Sequence, residues 1–173
     1  MSGFYLEMGR ILLVGLIATG VMDVCTLLRS RLLHEKSMDW ALVGRWLGQL
    51  AQGHWVLKDA KTAPVQPFDR ALGWLFHYVV GVGLAAAMWL VLGRAALAEP
   101  QLLVCLGFGA LTVVIPMATL QPGLGLGLAA RKLPNPWAAR RRSLLTHLSF
   151  GLGLYIAAAA VASVQTSVLA WPI

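Results

Sequence analysis

The chain has 173 residues, of which 58% are hydrophobic and only 12% charged, with a net charge of +7. A soluble domain of this size has too little interior for so much apolar side chain, so lipid is the expected solvent. Twelve of the fourteen basic residues fall in two segments between apolar runs, so the charge reads as basic loops on one side of a membrane. Nucleic acid is therefore not an expected partner; the lipid bilayer is.

The first apolar run predicts a transmembrane helix over residues 11–28, with Asp23 and Thr26 near its far end. No basic leader or cleavage site marks it as a signal peptide. Gly15, Thr19 and Asp23 lie four apart and share one face, which should meet other helices rather than lipid. Cys25 and Cys105 sit in separate apolar runs and read as small buried hydrophobes.

A long basic segment follows, with Arg29, Arg31, Lys36, Arg45, Lys58, Lys61 and Arg70. Within it, Trp40, Val43, Leu47 and Leu50 recur at helical spacing after Ser37, a suitable N-cap. This predicts an amphipathic helix over about residues 38–52, lying in the membrane interface or capping the bundle. Pro64 and Pro67 then break the chain.

Further transmembrane helices are expected over residues 72–92, 102–120 and 144–164. The third contains Pro116, which frees the carbonyl of Thr112. The fourth is preceded by Pro134-Asn135-Pro136, Trp137 and the run Arg140, Arg141, Arg142. Only Arg10 and Arg94, offset by Glu7 and Glu99, lie on the other side. Both long loops are therefore expected in the cytoplasm and both termini outside.

The second and fourth helices share L-x-H-x-x-x-G-x-G-L, from Leu75 to Leu84 and from Leu145 to Leu154. Glycine and leucine are common in membrane helices, but a histidine in register is not. A duplicated helical hairpin is expected, its halves running parallel about an axis along the membrane normal. That symmetry puts His77 and His147 at one depth. The fold class is an all-α, four-transmembrane-helix bundle of two such hairpins, forming one integral membrane domain over residues 1–173.

Asp23, Thr26, His77, Pro116, Thr119, Gln121 and His147 all fall in the third of the bundle nearest the basic loops. An isolated ionised aspartate there is costly, so Asp23 should pair with a histidine or stay protonated. Three readings stay open. In one, Asp23 and the histidines only fix helix packing. In another, Asp23, Thr26, His77, Gln121 and His147 line a cytoplasm-facing cavity for an anionic or amphipathic small molecule, with Arg140, Arg141 and Arg142 attracting it at the mouth. In the last, His77 and His147 hold haem or a metal. His34, Glu35, Asp39, His54 and Asp59 match no ligand spacing and read as solvated loop residues. Gly123-Leu124-Gly125-Leu126-Gly127 lacks a preceding strand and a following Lys-Ser/Thr, so it is a flexible helix exit rather than a nucleotide loop.

The stretches GRWLGQLAQGHW, ALGWLFHYVVGVG and LQPGLGLGLAARKLPNPWAARRRSLLTHLSFGLGLYIAAA resemble a bacterial family of small inner-membrane proteins, domain of unknown function 2938. The resemblance covers nearly the whole chain and implies a four-helix inner-membrane architecture. It supplies no activity, substrate, cofactor or catalytic residue. No nucleophile or acid–base constellation is visible, so binding or transport is expected ahead of catalysis. Haem- or metal-based redox chemistry and an accessory role in a larger complex are the alternatives. So few membrane residues make few walls, and a second copy or a partner subunit is expected to complete a transport path.

Overall fold

A computed structural model describes residues 2–35, 37–57 and 65–169. Asp59, Pro64 and the lysines at 36, 58 and 61 lie outside the described residues. Among the described residues the regular elements are all helical: α1 (Ser2–Leu33), α2 (Trp40–Leu50), α3 (Asp69–Leu92), α4 (Ala95–Ala98), α5 (Leu102–Thr112), α6 (Val114–Ala118), α7 (Leu120–Gly123), a short 3-10 turn at Leu128–Ala130 and α8 (Pro136–Leu169). Four stretches are long and apolar enough to cross a membrane: Gly3–Leu33, Asp69–Leu92, Leu102–Gly123 and Pro136–Ser163. Only 22–33% of each apolar window is buried within the protein, so most of this surface is left for lipid.

The helices outrun the apolar windows that predict them. α1 extends well past Ile11 and Leu28 in both directions, because its flanks hold good helix formers such as Leu, Met, Glu and Arg. α8 begins at Pro136, a favoured first helical residue, with Asn135 Oδ1 accepting from the Ala138 amide at 3.1 Å. Arg140, Arg141 and Arg142 are thus inside α8 rather than in the loop before it.

The third span is broken twice. α5 stops at Thr112 and α6 at Ala118, four residues before Pro116 and Pro122 respectively. Each proline lacks the N–H that would bond the carbonyl four residues earlier, so the helix opens at Val113 and again at Thr119.

The spans pack in the order α3–α1–α8–α5, with α1 and α8 in the middle. Ile11, Val14, Ala18 and Met22 of α1 meet Phe150, Leu154, Ala157 and Ala158 of α8 in the main core, with Ala85, Met88 and Cys105 from the flanking helices. α4 bridges α3 and α8 through the buried Leu97. Nearby, Glu7 accepts from Arg94 at 2.9 Å and from the Trp89 indole at 3.2 Å.

α2 folds back onto α3. Asp39 rather than Ser37 caps it, its side chain accepting from the Ala41 amide at 3.0 Å. Val43, Gly44 and Trp46 are buried, a face rotated from the predicted stripe because the contact is α3. A side chain at Gly73 would run into the Trp40 carbonyl, so the two backbones touch. Arg45 reaches the buried Asp69 at 3.3 Å and fixes the start of α3.

The glycine-rich exit forms a turn. Gly125 and Gly127 take left-handed φ of 79° and 75°, and the Leu57 amide donates to the Gly123 carbonyl at 2.7 Å. Trp46, Leu57 and Leu124 form a second, smaller core there.

Candidate functional site

Asp23 lies ten residues before the end of α1, about 15 Å along the helix at about 1.5 Å per residue. Its carboxylate faces α3. His77 Nε2 lies 2.9 Å from Oδ1, and the Tyr78 hydroxyl donates to Oδ2 at 3.1 Å. Each carboxylate oxygen therefore has its own donor, and one proton lies between carboxylate and imidazole. His77 is buried; the Asp23 side chain keeps 24% of its surface exposed.

Aromatic rings enclose the pair. Trp74 and Tyr78 lie one turn apart on α3, their ring centroids 6.2 Å from each other. Trp40, the first residue of α2, sits over the His77 imidazole with centroids 4.1 Å apart and planes 33° from parallel. Trp74 meets the same imidazole edge-on at 5.6 Å. These rings limit the freedom of the imidazole and restrict water around it.

His147 has hydrogen-bond partners of its own. Its Nδ1 lies 2.8 Å from Thr112 Oγ1, which also lies 2.7 Å from the Gly109 carbonyl. A hydroxyl has one hydrogen, and the carbonyl can only accept. Both contacts are met when Thr112 donates to Gly109 and the imidazole donates from Nδ1. His147 Nε2 is then the ring's acceptor.

Of the remaining residues singled out from the sequence, Thr26 lies about one turn after Asp23 on α1, and Gln121 and the arginines have surroundings of their own. Gln121 is buried and donates from Nε2 to Ser143 Oγ at 3.2 Å, while its Oε1 has no partner among the described residues. Thr26 Oγ1 is likewise buried and unpartnered there. Of the three arginines, Arg140 and Arg141 line one groove beside α6, and Arg142 is not among the residues that line it. Arg140 donates to the Ala129 carbonyl at 2.9 Å, and Arg141 approaches Glu35 at 3.4 Å.

Glu35 is not the solvated loop residue its sequence context implied. Its side chain is only 13% exposed, paired with Arg29 at 3.0 Å, and Arg29 donates onward to Thr146 at 2.8 Å. This ties the end of α1 to α8. Asp39, the cap of α2, also has a structural role. No group of three His, Cys, Asp or Glu side chains among the described residues could hold a metal ion.

The model of a family described as Protein of unknown function (DUF2938) matches residues 12–161, which include every residue of both histidine settings. The chain belongs to the DUF2938 family. No curated protein and no solved structure matches this DUF2938 chain. Its candidate site therefore rests on its own geometry. Tyr78, Trp74 and Thr112, absent from the residues expected at the site, now belong to it. Trp74 could have been found from its spacing to His77, three residues away on α3.

Proposed function

We propose that the protein binds and carries a small anionic or amphipathic molecule or ion across the membrane, with proton exchange at the Asp23–His77 pair. The observation that carries this reading is the 2.9 Å contact between a carboxylate and an imidazole inside two membrane-spanning stretches. Ionisable groups are costly there, and pairs of this kind are the usual parts of proton relays in transporters. Tyr78 supplies a second donor, so Asp23 can hold negative charge when the imidazole gives up its proton.

Loop charge supports a bacterial inner-membrane location with both long loops in the cytoplasm and both termini in the periplasm. The site then lies toward the cytoplasmic side. The haem reading is less well supported, because Asp23 already engages His77 Nε2 at 2.9 Å.

Proteoliposomes loaded with a pH-sensitive dye test the proposal under an imposed pH gradient. The wild type should dissipate the gradient, and Asp23→Asn should abolish this while remaining monodisperse and folded. Equal rates in empty, wild-type and Asp23→Asn vesicles would overturn the role given to the pair.

A further inference from the structure

An open groove of about 730 Å³ runs between α6 and the start of α8. It owes its existence to the break in the third span. α5 packs closely along α8, but beyond Val113 the helix turns away and α6 does not keep that contact. One wall is apolar, made by Val113, Met117 and Leu144. The other end carries Trp137, Arg140 and Arg141.

The two ends differ in chemistry in the way an amphiphile does. Arg140 is held by its Nε bond to the Ala129 carbonyl, with its guanidinium carbon 5.7 Å from the centre of the Trp137 ring. That bond uses only one of its five N–H groups. Arg141 is 69% exposed, and its approach to Glu35 is long at 3.4 Å, while Glu35 already has Arg29 at 3.0 Å. Trp137 is 77% exposed, as suits an indole at the level of lipid headgroups. Leu144 lies one turn further along α8 than Arg140, in the direction of its apolar run, so the apolar wall runs inward from the arginines.

We propose that this groove is a binding site for an anionic phospholipid. The phosphate lies between the guanidinium groups of Arg140 and Arg141, and an acyl chain lies along Val113, Met117 and Leu144. Paired guanidinium forks match phosphate oxygens, and Trp137 seats the glycerol region. A soluble phosphate would use the arginines but leave the apolar wall without an occupant. The site shares no residue with the Asp23–His77 pair and does not depend on its role.

The test is native mass spectrometry of the full-length protein released from micelles supplemented with phosphatidylglycerol or phosphatidylcholine. Phosphatidylglycerol should be retained at about thirtyfold lower concentration, the scale expected from two arginines near a lipid surface at about 1 kcal/mol each. The Arg140→Ala/Arg141→Ala double variant should lose that preference, and Met117→Trp, which fills the groove with both arginines in place, should lower retention of the lipid. Inorganic phosphate should not displace the lipid. Equal retention of the two lipids by the wild type would overturn the proposal, and this comparison needs no variant to fold. Displacement by inorganic phosphate would overturn it too, by making the site one for a soluble anion.

Discussion

Trp40 and His77 stack with their ring centroids 4.1 Å apart, joining the helix of the first long loop to the centre of the candidate site. α2 is therefore part of the site's wall as well as a connection between spans. Trp40→Ala should leave the imidazole more open to water. Hydrogen exchange around residues 74–78 should rise in mild detergent, with α1 and α8 unchanged. Equal protection in both proteins would separate α2 from the site.

The anchor of α2 can be tested independently. Asp69 is only 3% exposed and holds Arg45 at 3.3 Å and the Gln66 amide at 3.0 Å. Arg45→Ala leaves a buried carboxylate without that cation, which should cost about 3 kcal/mol. Asp69→Asn keeps the amide contact and should cost less. Thermal unfolding of the three proteins in one detergent gives the order.

The shared L-x-H-x-x-x-G-x-G-L stretch makes an opposed pair of predictions. A side chain at Gly81 would collide with Thr19, which is fully buried and held by its own bond to the Gly15 carbonyl at 2.7 Å. Gly81→Ala should destabilise by about 2 kcal/mol. At Gly83 the place a methyl group would take has no atom within 4 Å, so Gly83→Ala should be neutral or stabilise by up to about 1 kcal/mol. Unfolding by added denaturing detergent distinguishes the signs.

Thr112→Val removes the acceptor for His147 Nδ1 and the donor to the Gly109 carbonyl while keeping the shape of the side chain. A loss of about 1–3 kcal/mol is expected, because the imidazole N–H is left unsatisfied. Thr112→Ser should retain most of the stability. A full loss with serine would place the effect in packing.

Pro116→Ala restores an N–H for the Thr112 carbonyl and should let α5 run on into α6. The new amide at position 116 should be protected from exchange, and the groove beside α8 should narrow. Lower phospholipid retention in this variant would tie the lipid site to the proline break. Unchanged retention would mean that the groove does not depend on it.

The four spans were legible because runs of about twenty apolar residues have few other uses. Their ends were not, since helicity continues through Glu7, Arg10 and Arg31, where hydropathy has already fallen. Asp23 and His77 stood out as polar groups in apolar runs, and the expectation that they pair matches the geometry. Their partners were harder to see. Whether Tyr78 or Thr112 reaches a neighbour depends on which face of each helix is turned inward, and that is set by tertiary packing. The pairing of Glu35 with Arg141 likewise needs residues separated by more than a hundred positions to meet.

The order α3–α1–α8–α5 has a consequence for how the chain can vary. Gly151 and Gly153 of α8 touch the backbones of α5 and α1, whereas in α3 the matching Gly81 meets Thr19 of α1 and Gly83 meets nothing. The same motif is thus constrained on two sides in a middle helix and on one side in an outer helix. Tolerance to substitution should follow rank in this row and not position along the chain, with α1 and α8 constrained on two faces by their neighbours and the lipid-facing remainder of each helix accepting many changes.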